Sequence, residues 1–98
     1  MAEYAATVAP HAYKVLFEND HVRLLEVLME PGSSTELHSH PDNLVYVLSD
    51  GKYAFTNPSG ERAEFDVAPG DVFWMEATDH ATDNLGDSPI RALMFEPK

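Results

Sequence analysis

Cysteine is absent from the 98 residues, which excludes a disulfide framework and a thiolate metal site. Basic residues are scarce: six Lys and Arg stand against seventeen Asp and Glu, for a net charge of −11. A chain so acidic offers no patch to neutralise phosphates, so neither nucleic acid nor an anionic membrane surface is an expected partner. No apolar run approaches the roughly 20 residues of a membrane-spanning helix. The opening stretch MAEYAATVAPHAYKV lacks a basic segment followed by an apolar one, so it does not read as a secretory signal and a cytoplasmic location is expected. The length leaves room for one domain. At this size folding buries about 60–70% of the unfolded chain's surface, so a bound metal or a second subunit would add useful stability.

What the chain does hold is a globular composition, 44% hydrophobic with five Phe, four Tyr and one Trp, set in short runs between turn signals. Residues 1–12 are Ala-rich, contain Pro10 and show no period; they read as an N-terminal arm that frays or docks on a neighbour. From residue 13 the pattern becomes strand-like. Expected strands cover 13–18, 21–30, 35–40, 44–48, 52–56, 61–67, 72–75, 81–84 and 90–95, separated by pairs such as Asn19-Asp20, Pro31-Gly32 and Asp50-Gly51. At Gly51 a positive φ is expected. Turns at such short intervals, with no stretch demanding a helix, point to an all-β sandwich or barrel over 13–98.

The chemistry concentrates in Gly32 to Gly51, PGSSTELHSHPDNLVYVLSDG when read from Pro31. His38 and His40 stand two apart in a strand, so both imidazoles point the same way. His80 lies in a second strand-and-turn context ahead of Asn84. Two ring nitrogens from one strand and a third from a partner strand can hold a divalent metal inside a small barrel. The alternative is a pair of polar side chains on an exposed strand face. His11 and His21 lack such surroundings and read as ordinary surface or packing residues.

These residues resemble the two motifs of the cupins. The first runs Gly, five residues, His-x-His, three or four residues, Glu, six residues, Gly. Gly32, His38, His40 and Gly51 fit it, with Leu44 where the Glu belongs. The second runs Gly, five residues, Pro-x-Gly, two residues, His, three residues, Asn. Gly70, His80 and Asn84 fit its ends, while Met75-Glu76-Ala77-Thr78-Asp79 stands in an interior one residue short. If the missing residue falls in the turn, His80 keeps its inward face; if it falls in the strand, the face flips.

The resemblance implies a single-domain cupin of the RmlC-like type, a double-stranded β-helix or jelly roll. It implies His38, His40 and His80 as metal ligands without the usual carboxylate, like the three-His non-haem iron sites of thiol dioxygenases and diketone-cleaving dioxygenases. Such a site favours a small anionic or enolisable substrate that supplies the missing negative charge. Iron is the metal expected for an oxidoreductase; Zn, Ni, Mn or Cu suits the same imidazoles. A non-catalytic module binding metal or a small molecule, and a Lewis-acid lyase or isomerase, remain alternatives.

On the strand after His40, motif alignment turns Leu44, Tyr46 and Leu48 inward. Tyr46 is then the expected catalytic hydrogen-bond donor or acid/base group, or else a core tyrosine. Tyr53, Phe55, Val72, Trp74 and Met94 read first as plain core packing, with the wall of an apolar cavity as the alternative, and Asp71 and Asn84 are expected to serve turns. A barrel this small has edges to cover, so a homodimer involving the arm is expected.

Overall fold

The computed structural model describes residues 3–98. A single helical turn, α1 (Ala5–Val8), precedes nine strands: β1 (Tyr13–Glu18), β2 (Val22–Met29), β3 (His38–His40), β4 (Asn43–Val47), β5 (Gly51–Thr56), β6 (Arg62–Val67), β7 (Val72–Met75), β8 (Thr78–Asn84) and β9 (Ile90–Pro97). They form a five-stranded sheet in the order β1-β2-β9-β4-β7 and a four-stranded sheet in the order β3-β8-β5-β6. All pairings within the strands are antiparallel. Apart from the β1–β2 and β5–β6 pairs, successive strands cross between the sheets, which is the jelly-roll arrangement expected of the two motifs. Among the described residues no helix is long and apolar enough to cross a membrane.

Alternation along the strands builds the core. Leu25, Val27 and Met29 of β2 share the interior with Val45 and Val47 of β4 and with Ala92 and Met94 of β9, all buried. Each large aliphatic side chain buried this way contributes about 1.5–3 kcal/mol relative to exposure.

Two expectations need correction here. The Ala-rich arm docks on its own barrel over its described residues 3–12. Ala5, Ala9 and Ala12 are buried, Ser39 N donates to Glu3 O at 2.7 Å and Leu28 N to Ala12 O at 2.9 Å. Small side chains at these positions let the segment lie flat over the barrel, and its backbone satisfies groups on β3, an edge strand of the four-stranded sheet. Tyr4 Oη donates to Glu96 Oε1 at 2.7 Å, and the Arg23 guanidinium lies 4.6 Å from the Tyr4 ring centroid.

Gly51 does not take a positive φ; Gly32, Gly60 and Gly70 do. Gly51 is required for space instead, because a Cβ there would stand 2.6 Å from Ile90 Cγ1.

Candidate metal centre

Antiparallel register sets His38 directly opposite His80 across the β3–β8 ladder. His40, two residues on, shares their inward face, and all three side chains are buried. Their candidate ligand atoms lie within 4.8 Å of one another. Ring centroids are 4.7 Å apart for His38–His40, 4.9 Å for His38–His80 and 5.0 Å for His40–His80. The shortened interior of the second motif therefore leaves His80 on the inward face. The turn before β8 is fastened by Ala77 N donating to Asp42 Oδ1 at 2.7 Å.

Hydrogen bonding fixes the tautomer of His38 and leaves nitrogens of His40 and His80 free to ligate. His38 Nδ1 faces Glu36 O at 2.8 Å; a carbonyl only accepts, so Nδ1 carries the proton and Nε2 the lone pair. Neither ring nitrogen of His40, nor His80 Nε2, has a hydrogen-bond partner. Orphaned buried nitrogens cost free energy unless something occupies them, so this donor set fits a metal ion. Burial lowers the His38 pKa and drives His40 to about 2 and His80 to about 3, with the neighbouring imidazoles adding to the effect for both. The triad is neutral at pH 7, the protonation state that ligation requires.

Two aromatic neighbours complete the site. Phe55 stacks on His80 with centroids 4.0 Å apart and planes at 22°. Tyr13, also buried, packs its ring edge-on against His38 and His40, and its hydroxyl lies 3.2 Å from His38 Nε2. With the proton of His38 on Nδ1, Tyr13 Oη donates. Tyr13 went unrecognised in the sequence because it precedes both motifs and enters from the other sheet.

The strand-parity reading of β4 is overturned. Asn43, Val45 and Val47 point inward, while Leu44 and Tyr46 are 38% and 42% exposed. β3 and β4 belong to opposite sheets, so alternation counted from His40 does not carry across Pro41-Asp42 and the inward direction reverses. Tyr46 stands on the outer surface, away from the histidines. Val72 and Trp74 likewise face outward, with Phe73 and Met75 taking the inward positions of β7. Tyr53, Phe55 and Met94 do line the interior. His11 and His21 lie at the surface.

Asn84 is a structural clamp: its Nδ2 donates to Met29 O and Ser88 O at 2.9 and 3.0 Å, and its Oδ1 accepts from Gly86 N. Asp71 Oδ2 accepts from Ala68 N at 2.9 Å and holds its turn.

An interior cavity of about 60 Å³ adjoins Tyr13 and His80. A larger cleft of about 610 Å³ opens between β5–β6 and β7, and Tyr53, Phe55, Val67, Phe73 and Met75 line both. Asp66, Asp71 and Glu76 also border the cleft, and no basic residue lines it.

Comparison with known proteins agrees with this architecture. No functionally curated protein matches. A cupin domain from Bordetella pertussis Tohama I superposes with a TM-score of 0.80 at 24% identity, covering 88% of this chain and 91% of that one. The polyketide cyclase RemF from Streptomyces resistomycificus gives 0.64 at 25%, over 87% and 63% of the two chains. A sugar phosphate isomerase of the cupin superfamily from Silicibacter pomeroyi gives 0.61 at 22%, over 88% and 58%. The Cupin domain family matches residues 25–96, and with its jelly roll and inward-facing histidine triad the chain belongs to the cupins.

Proposed function

We propose that this cupin is a metal-dependent enzyme in which His38, His40 and His80 hold a divalent transition metal, iron in an oxidoreductase of the dioxygenase kind. The observation that carries this reading is the set of unpartnered ring nitrogens on His40 and His80, buried side by side with His38 and within ligating distance of one another. Bound there, the metal would supply Lewis acidity and, as iron, a route for electrons to O₂.

The chain's own residues do the rest. Glu36 O fixes the His38 tautomer, and Phe55 holds the plane of His80. Tyr13, whose phenol burial keeps protonated, is placed to donate a hydrogen bond or a proton beside His38. The apolar walls exclude water, and the acidic border of the cleft disfavours a substrate that arrives charged negatively. We read the substrate as a small enolisable molecule that enters neutral and becomes anionic only on losing a proton at the site. This narrows the anionic-or-enolisable class implied by the motifs.

A second reading has support from two relatives described as a polyketide cyclase and a sugar phosphate isomerase: Lewis-acid cyclisation or isomerisation with no use of O₂. One experiment separates the readings. Purified protein is loaded with Fe(II) or Zn(II) and its metal content measured. O₂ uptake and loss of enol absorbance are then followed with a neutral 1,3-diketone. Metal retention that needs His40, with O₂ consumed in step with diketone, supports the oxygenase. Substrate conversion under nitrogen supports the Lewis-acid reading. Protein that stays metal-free after reconstitution removes both, and metal retention without turnover leaves a binding module.

A further inference from the structure

Two of the three histidines stand on the shortest of the described strands. β3 has three residues, and its register against β8 runs His38↔His80, Ser39↔Asp79 and His40↔Thr78. It ends the four-stranded sheet, so β8 covers only one of its sides. A strand this short, paired on one side, gains few hydrogen bonds for the backbone it must order, and it frays readily.

The other side is taken by the N-terminal segment. Ser39, which stands between the two ligand positions, donates its backbone N–H to Glu3 O at 2.7 Å, and Tyr4 forms a parallel bridge with the same residue. Toward the segment's far end, His11 Nε2 lies 3.2 Å from Ser34 O; a carbonyl only accepts, so the ring donates. Ser34 lies on the approach to β3, ahead of Glu36, whose carbonyl sets the His38 tautomer. The two grips thus fall on either side of His38, and the first lies between His38 and His40. Ala5 and Ala9 are buried between them, and Tyr4 Oη reaches Glu96 of β9.

We propose that residues 3–12 are a strap on the metal site: Glu3, Tyr4 and His11 are positioning residues that hold β3 in ligating register, and metal binding in turn tightens the strap. This rests on the reading of His38, His40 and His80 as ligands. Ligation by His80 of β8 together with His38 and His40 of β3 ties the two strands to each other, while the strap holds β3 from its opposite side. Both events order the same three residues, so either one lowers the ordering cost of the other. Linkage makes the effect reciprocal: the factor by which the strap raises metal affinity is the factor by which metal favours strap docking. Loss of the bond between Tyr13 and His38 on metal binding does not undo the strap, because Tyr13 is held separately in register with Val27 of β2. Metal retention is therefore set from the N-terminal segment. Lifting it lowers the fraction of molecules with β3 in place, and apparent affinity falls with that fraction.

Zinc affinity by chelator competition, hydrogen exchange and urea unfolding, all on the full chain, test the proposal. Ala5→Glu puts a charge where the segment is buried; it should lift the strap and lower zinc affinity at least about tenfold. His11→Ala removes one grip at the surface and should lower affinity at least about twofold. In the wild type zinc should slow exchange at Ala9 and Leu28, whose amides bond to Ala5 O and Ala12 O rather than to β3. Gly51→Ala, which crowds Ile90 and leaves the strap alone, should lose stability without losing zinc.

Zinc held as tightly by Ala5→Glu, with its segment exchanging freely, overturns the coupling and leaves the metal site standing. If Ala5→Glu does not fold, unchanged affinity in His11→Ala has the same force. An equal loss in Gly51→Ala also overturns it, since affinity would then follow global stability, as does exchange at Ala9 and Leu28 that zinc does not slow. A wild type that takes up no zinc removes the metal reading itself, and the strap's role with it.

Discussion

The Tyr13 hydroxyl donates to the one lone pair of His38 that a metal would take, Nε2, across 3.2 Å. In the metal-free protein this bond satisfies both groups, and a net hydrogen bond of this kind contributes about 0.5–1.5 kcal/mol. Metal must displace it. Tyr13→Phe should therefore bind metal as tightly as the wild type or up to about tenfold more tightly. Its turnover should fall on the order of a hundredfold if the hydroxyl handles a proton during reaction. Titration with a competing chelator, alongside kcat, separates the two effects. Loss of metal affinity together with turnover would instead make Tyr13 a structural prop.

Protonation of the triad gives a pH dependence with a definite sign. His40 and His80 have folded-state pKa values near 2 and 3, far below the value of 6.5 that an unfolded chain restores. Below that value the unfolded state binds protons that the folded state refuses, so stability falls as pH drops. Above it the two groups contribute no pH dependence. Each should add a slope of about 1.4 kcal/mol per pH unit between pH 6 and 4. Urea unfolding of chelator-treated protein should show that slope shrink by about one group's worth in His40→Asn. An unchanged slope would mean that the ring is not held neutral.

The parts of this site legible in the sequence were those that depend on period within one strand. His38 and His40 share a face because both sit in β3, and the intact His80-to-Asn84 spacing favoured the inward face that His80 takes. What escaped were relations created by the crossing of sheets. Tyr46 faces outward because β4 lies across the barrel from β3, and no count of alternating residues crosses that turn. Tyr13 meets His38 from twenty-five positions away, with no local pattern to announce it. Strand positions were mostly apparent from turn signals, whereas the helical turn at 5–8 depends on docking: its four residues are too few to hold a helix alone.

Docking of that segment rests on a buried carboxylate. Glu96 is 2% exposed, accepts from Tyr4 Oη and lies 3.5 Å from Arg23 Nη1, while burial pushes its pKa up. Tyr4→Phe removes the closer partner and leaves a buried acceptor underserved, at a cost of about 1.5–3 kcal/mol. Hydrogen exchange should register the loss locally before it appears globally. The Ser39 amide, bonded to Glu3 O, and the Leu28 amide, bonded to Ala12 O, should lose protection first. Uniform loss over all strands would show that the segment does not unfold as a separate unit.

Gly51 offers a sharper test of packing than the glycines in turns, because its backbone is ordinary and only space is at issue. A methyl group there would meet Ile90 Cγ1 at 2.6 Å and Cδ1 at 3.3 Å, and Ile90 is buried at 6% exposure where β9 begins. Overpacking of this sort costs about 1–3 kcal/mol. Ile90→Ala alone should cost about 2–5 kcal/mol by opening a cavity. Combined, the substitutions should be less damaging than their sum by at least about 1 kcal/mol, since Ile90→Ala removes the atoms that Gly51→Ala would strike. Strict additivity in denaturant unfolding would mean that Gly51 is required for something other than the close approach of β5 to Ile90.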